Sequence, residues 1–341
     1  MLKLLTLDDV DVGGKTVLVR VDFNSPIDVK TKKILDETRI RTHGETTIKE
    51  LVDKGAKVVI LAHQGRPGEP DFIPLEQHAE VLSKVLGKRI KYTNGIFDEK
   101  VKNAIRELQN GEVLVLENVR MFADEQKKGT PEEQAKTKMV EKLAPLADLF
   151  VNDAFAAAHR AHVSIVGFTA VLPSVAGRIM ERELKSLGRV LESPEKPCVF
   201  ILGGAKGDDA LEISKYVLDN GIANYVLTGG VAGHVFLVAR GFDLGKLNMD
   251  FLERKELLGF VPGIRELMQK YPDEIKVPLD IAVEVGGKRK EISVDELPTD
   301  YPIFDIGAIT VESYARIIRS AKSIVVSGPM GVYENSEFIF G

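Results

Sequence analysis

Tryptophan is absent from this sequence, and cysteine occurs once, at Cys198. A single cysteine excludes an internal disulfide framework and any cluster of thiolate metal ligands, and it suits a reducing compartment. Cys198 is expected to act as a buried apolar residue. No apolar run approaches the length of a membrane span, and the opening Met1-Leu2-Lys3-Leu4-Leu5-Thr6-Leu7-Asp8-Asp9 lacks the apolar core and small-residue cleavage site of a signal peptide. A soluble, cytoplasmic protein with no membrane partner is the expectation. A basic excess is missing too, since the formal net charge is −5, and this argues against nucleic acid as a partner. Neither a G-x-G-x-x-G fingerprint nor a P-loop with its spaced Gly-Lys-Ser/Thr ending occurs, which argues against a dinucleotide dehydrogenase and a Walker-type site.

What is present suits an ordinary globular protein: 341 residues, 44% hydrophobic and 28% charged, a length that suggests two domains. Apolar, β-branched runs alternate with helical patterns, the signature of βαβ units and a parallel sheet. The first half carries strand candidates at Thr16 to Val21, Lys57 to Leu61, Lys88 to Tyr92, Val113 to Leu116 and Asp148 to Val151. Between them, Pro74 fits a first helical position with Gly87 as the stop. Asp98 fits the cap of a helix that ends at Asn110-Gly111. Met180, Leu184, Leu187 and Leu191 form one face of a helix running to Ser193-Pro194, taken as the link between domains. The second half carries strand candidates at Cys198 to Leu202, Tyr225 to Leu227, Pro302 to Phe304 and Ser323 to Val326, with helices at Asp209 to Asn220 and Thr310 to Ala321. The prolines at 262, 272, 278 and 298 break residues 261 to 298 into short pieces without a clear pattern.

Open parallel sheets bind ligands beyond the carboxyl ends of their strands, so the residues after each apolar run are the ones to compare. In the first half these are Arg20-Val21-Asp22-Phe23-Asn24, His63-Gln64-Gly65-Arg66-Pro67, Glu117-Asn118-Val119-Arg120, and Val151 to His162 with Arg160; each carries an arginine. In the second half they are Gly203-Gly204-Ala205-Lys206, Thr228-Gly229-Gly230 and Ser327-Gly328-Pro329-Met330-Gly331; each carries paired or near-paired glycines. Guanidinium forks match carboxylate and phosphate oxygens, so several in one cleft imply a small, highly anionic ligand. Glycine turns let a backbone come close to something flat or phosphorylated, with helix N-termini behind to hold phosphate. An acid-phosphate site on one domain and a nucleotide site on the other make phosphoryl transfer the expected chemistry. Taken singly, each feature has a plainer reading: an arginine after a strand is ordinarily a surface charge, and a glycine pair is ordinarily a tight turn. His159-x-x-His162 alone is compatible with a metal site, an anion site or an ordinary loop.

With those residues aligned, the sequence resembles the phosphoglycerate kinase family over nearly its whole length. The resemblance rests on Arg20-Val21-Asp22-Phe23-Asn24-Ser25-Pro26, Thr38-Arg39-Ile40, Ala62-His63-Gln64-Gly65-Arg66-Pro67, Leu116-Glu117-Asn118-Val119-Arg120, Val151 to Val163, Leu202 to Lys206, and Gly328 to Glu334. His-Gln-Gly and Gly-Ala-Lys-Gly-Asp-Asp-Ala are closer to the family's archaeal spelling. The resemblance implies two Rossmann-like parallel-sheet α/β/α domains joined by a helix: an acid-phosphate domain at 1–175, a connecting helix at 176–193 and a nucleotide domain at 194–341. It implies reversible transfer between 1,3-bisphosphoglycerate with ADP and 3-phosphoglycerate with ATP. Asp22 and Asn24, with Phe23 between them, match residues that hold the glycerate end. His63, Gln64, Gly65, Arg66, Arg120 and Arg160 match the group around its phosphate and carboxylate, with His162 assisting. Arg39 matches the catalytic arginine, which also contacts the substrate, and Lys206 a lysine that reaches the nucleotide phosphates; together they are expected to supply the catalytic positive charge. Gly203, Gly204, Gly229 and Gly230 match close-approach turns, and Glu334 matches the ribose contact. Magnesium is implied with ADP or ATP and no metal on protein side chains, so the metal reading of His159 and His162 recedes.

Hinge closure of a monomer is the implied way to bring the two sites together. Two departures stand out. Ala210 replaces a second lysine found in many members. The sequence stops at Phe338-Ile339-Phe340-Gly341, before the family's phosphate loop with its metal ligand, so an apparently truncated nucleotide domain is expected. A non-catalytic protein that binds phosphorylated acids is the alternative.

Overall fold

The computed structural model describes residues 4–204, 207 and 209–341. The chain divides into two compact units, Met1–Lys185 and Ser186–Gly341, with the division inside the helix Arg178–Glu192.

The first unit is built on six parallel strands: β1 (Thr16–Arg20), β2 (Lys57–Leu61), β3 (Lys91–Tyr92), β4 (Val113–Val115), β5 (Leu149–Asn152) and β6 (Ser174–Ala176), in the order β3-β4-β2-β1-β5-β6. Its strands read as unbroken apolar runs because both faces are covered. Alternate residues serve opposite cores: Val17, Val19, Val58, Ile60, Val113 and Val115 pack on one side, and Leu18, Val59, Leu61, Leu114 and Phe150 on the other. Full burial of each such side chain stabilises the fold by roughly 1.5–3 kcal/mol. The strand order reverses between β1 and β5, which makes their carboxyl ends the topological switch point.

The second unit has a parallel sheet of β7 (Cys198–Leu202), β8 (Tyr225–Thr228), β9 (Ile275–Lys276) and β13 (Ser323–Ser327), in the order β13-β7-β8-β9. Here the reversal lies between β7 and β13. Cys198, Phe200 and Leu202 point into one core and Val199 and Ile201 into the other, so the single cysteine is a buried apolar residue. β13 is an edge strand on which Ile324 and Val326 remain exposed.

Four expectations need correction. The segment read as patternless contains a hairpin, β10 (Asp280–Val285) and β11 (Lys288–Ser293), turning at Gly286-Gly287 with φ of 59° and 83°. That pair of positive φ values is what a two-residue hairpin turn requires, and Gly-Gly was its visible sign. The strand expected at Pro302 to Phe304 is β12 (Ile303–Ile306), and it pairs antiparallel with β10 instead of extending the parallel sheet. The helix capped by Asp98 is Glu99–Arg106, so it stops before Asn110-Gly111, and Pro74 precedes its helix, Glu76–Leu86, by two residues. The caps themselves are as expected: Asp98 accepts the Val101 N–H at 3.0 Å, and Gly87 takes the left-handed conformation at φ 64°.

Candidate functional site

The arginine-bearing turns of the first unit follow four adjacent strands, β4, β2, β1 and β5, so the parallel register brings them to one edge. There they surround a cavity of about 470 Å³ lined by Asn24, His63, Gly65, Arg66, Arg120 and Arg160 together with the Val29 and Glu69–Asp71 loops. Asn24 is fixed by its Oδ1, which accepts the Gly65 N–H at 2.8 Å. Arg120 donates to the Gly65 carbonyl, and its turn is set by Asn118, whose Oδ1 accepts the Arg120 N–H at 3.1 Å. Glu117 is scaffold, accepting the Leu75 and Asn118 amides and the Tyr92 hydroxyl.

This is a cluster of cations held close together. Burial, then Arg160 and Arg20, pull the Arg120 guanidinium down to about 10. Burial and the neighbouring arginines 20, 120, 160 and 39 hold His63 far below the ordinary imidazole range. Each group destabilises the charge of the next, and an anion in the cavity relieves all of them at once. His162 lies behind the lining, and burial followed by Arg120, Arg160 and Arg20 lowers it to about 4. Its neighbour His159 accepts from Arg160 Nε at 3.1 Å.

The remaining candidates of this unit are placed apart from that lining. Phe23 is wholly buried and stacks on His78. The Gln64 amide is committed to scaffold, accepting from Ser25 N and donating to the Ser25 and Asp71 carbonyls. Asp22 and Arg39 line a neighbouring depression and form an ion pair at 2.5 Å; the arginine side chain is 48% exposed and the carboxylate 7%. From Asp22 a buried series runs inward. The Asp22 amide donates to His43 Nε2 at 3.3 Å, His43 Nδ1 bonds Asp153 Oδ2 at 2.7 Å, and Asp153 Oδ1 accepts the Ile179 and Met180 amides at 2.8 and 3.2 Å. Those amides open the helix Arg178–Glu192. A Cβ on Gly177 would stand 2.3 Å from Asp153 Oδ1, which is why glycine precedes the helix. Neither His43 nor this use of Asp153 was anticipated, because no spacing rule links residues 43, 153 and 179.

His78 also gives a pH dependence. Burial lowers its imidazole to about 4, while the unfolded chain takes up a proton near the ordinary value of about 6.5. The folded value is the lower one, so this stability is present above about pH 6.5 and is lost as pH falls from there towards 4. About 2 kcal/mol should disappear between pH 7 and 5. Urea midpoints at the two pH values, compared with a His78→Asn variant, check this; parallel slopes would contradict it.

In the second unit, Gly203 and Gly204 line a cavity of about 250 Å³ with Leu202, Asp209, Ala210, Ser327 and Gly328, at the β7/β13 reversal. The glycines are needed chiefly because three strand-end turns approach one another. A Cβ on Gly203 would lie 2.4 Å from the Pro329 carbonyl oxygen, one on Gly229 2.1 Å from Met330 Sδ, and one on Gly230, at φ +53°, 2.8 Å from Gly204 N. Gly229 and Gly230 thus shape the turns but do not line the cavity, and Gly230 begins the helix Gly230–Arg240. Glu334 is exposed on the loop after β13, outside the lining. Lys206 lies outside the described residues.

Comparison with known proteins sets this geometry among relatives. The family model described as Phosphoglycerate kinase matches residues 7–341. A phosphoglycerate kinase of Methanothermobacter thermautotrophicus is 50% identical over 339 residues, covering 99% of this chain and 82% of the relative. That of Methanothermus fervidus is 48% identical, covering 100% and 83%. The crystal structure of the Pyrococcus horikoshii OT3 phosphoglycerate kinase superposes with a TM-score of 0.91 at 41% identity, covering 99% of this chain and 84% of that one.

Proposed function

The chain belongs to the phosphoglycerate kinase family, and we propose that its first unit binds the phosphorylated acid at the strand-end arginines and its second unit the nucleotide at the glycine turns. The activity is reversible phosphoryl transfer from 1,3-bisphosphoglycerate to ADP, giving 3-phosphoglycerate and ATP, a kinase reaction with a carboxyl group as acceptor. The observation that carries the site assignment is the convergence of His63, Arg66, Arg120 and Arg160 on one cavity, with Arg120 and His63 biased by burial and mutual repulsion towards accepting an anion.

In the direction of ATP use, a carboxylate oxygen of 3-phosphoglycerate attacks the γ-phosphorus, the bond to the β-phosphate oxygen breaks, and ADP leaves with the electron pair. No proton has to move and no protein nucleophile is required, so positioning and positive charge supply the rate. Asn24, His63, Arg66, Arg120 and Arg160 hold the acid; Arg39, released from Asp22, places charge on the moving phosphoryl group. Lys206 is assigned the matching role on the nucleotide side from its sequence motif. Magnesium would enter as part of the nucleotide substrate, and among the described lining residues of the second cavity Asp209 is the carboxylate that would be available to it. Transfer needs the acid and the nucleotide aligned with water kept from the acyl phosphate, and the hinge closure implied by the family resemblance would supply both. We place this chemistry in a cytoplasmic monomer; no helix among the described residues is long and apolar enough to cross a membrane.

Calorimetric titration tests the assignment. The protein should bind 3-phosphoglycerate saturably, and Arg120→Ala should raise Kd about 10- to 100-fold, the loss of one charged hydrogen-bond donor. Absence of binding by the unmodified protein, or unchanged affinity in the variant, would contradict it.

A further inference from the structure

Behind the first cavity lies a series of buried polar groups that meets the lining only at His63. Arg20, the last residue of β1, is 2% exposed, and Glu125 is 0% exposed. Arg20 Nε donates to Ser164 Oγ at 2.8 Å, its Nη1 to the Val21 carbonyl, and its Nη2 meets His63 Nδ1 at 3.0 Å. Ser164 in turn donates its hydroxyl to Glu125 Oε1 at 2.6 Å and its amide to Oε2 at 2.9 Å.

The series has a fixed direction. A guanidinium has only donors, so His63 Nδ1 must accept, and the neutral imidazole's one proton sits on Nε2, the nitrogen left for the cavity. Both Glu125 oxygens accept from Ser164, whose bonds together with Arg20 oppose the upward push of burial on that carboxyl, and among the described residues the Ser164 hydroxyl is the one group hydrogen-bonded to both the carboxyl and Arg20. Without Ser164, the guanidinium plane keeps only its bonds to the Val21 carbonyl and to His63 itself, the ring it is there to orient. His63 then gains the freedom to change tautomer.

We infer that Glu125 and Ser164 are positioning residues for acid-phosphate binding: through Arg20 they hold His63 as a neutral Nε2–H donor facing the ligand oxygens. Such a donor adds direction to the site without adding another charge to a ring of arginines. The inference rests on the acid-phosphate reading of this cavity, but its first test does not.

Nitrogen-15 spectra of imidazole-labelled protein report the tautomer directly. In the free, unmodified protein His63 should show an unprotonated Nδ1 and a protonated Nε2; the opposite tautomer would overturn the inference whatever the ligand. In Ser164→Ala the His63 signals should move towards a tautomer mixture, and Kd for 3-phosphoglycerate should rise about tenfold with ADP affinity unchanged. Glu125→Gln, which keeps an acceptor for the hydroxyl but removes the charge, should move both readouts the same way. A folded variant of either kind with the original tautomer and affinity would defeat the positioning role. Failure of the unmodified protein to bind 3-phosphoglycerate would instead defeat the ligand assignment, with the tautomer result still standing.

Discussion

Replacing Arg39 by alanine is expected to lower turnover about a thousandfold while leaving 3-phosphoglycerate affinity within about threefold, the pattern of a group whose charge matters chiefly in the transition state. The expectation comes from its placement. Arg39 does not line the arginine cavity; it stands at the second position of the helix Thr38–His43, half exposed and paired with Asp22 in the neighbouring depression. The pair is open to solvent on the arginine side, where the side chain is half exposed, so Arg39 can turn towards a bound ligand without repacking its surroundings. Arg120, buried against the Gly65 carbonyl, belongs to ground-state binding, and its replacement should change affinity first. Steady-state kinetics of both variants separate the two roles. If Arg39→Ala loses affinity and keeps its kcat, the assignment is reversed.

Asp153→Ala should be the most destabilising single change at this edge of the sheet. Its carboxylate is 0% exposed and is bonded to His43 Nδ1 and to two amides of the helix Arg178–Glu192. Removing it leaves those donors buried without partners, at a cost of about 3 kcal/mol or more. For a unit of this size that corresponds to a fall in Tm of roughly 6–12 °C. Asp153→Asn keeps an acceptor for the amides and should lose about half as much. Scanning calorimetry of the two variants checks the order; a shift of less than about 2 °C for Asp153→Ala would show that the network carries no stability.

How far the sequence could be read depended on whether a feature was periodic or convergent. Runs such as Thr16 to Val21 and Lys57 to Leu61 announced buried parallel strands because both faces are covered, and the residues at and after their ends announced a ligand edge because parallel strands all end together. Arg66, Arg120 and Arg160 were found in this way, and they meet at one cavity. Long-range partners left no such trace. Glu125, in a turn, and Ser164, in the short helix Val163–Val166, lie 39 residues apart, and His43 and Asp153 lie 110 apart. Nothing in their local sequence distinguishes them from solvated charges. The paired glycines stand at strand ends for a further reason than close approach to a ligand. Gly203, Gly229 and Gly230 make room first for one another's turns and for Met330, and only Gly203 and Gly204 also border the cavity. The β10–β11 hairpin itself contains no proline, and Pro278 and Pro298, which flank it, obscured the turn signal of Gly286-Gly287.

The central claim is that an arginine-lined acid site and a glycine-lined nucleotide site are two halves of one phosphoryl transfer. A coupled assay of ADP production from magnesium-ATP tests it most directly. ADP should form only when 3-phosphoglycerate is present, saturate with both substrates, and fall about a thousandfold in Arg39→Ala. Saturable binding of 3-phosphoglycerate without any ADP formation would contradict the account.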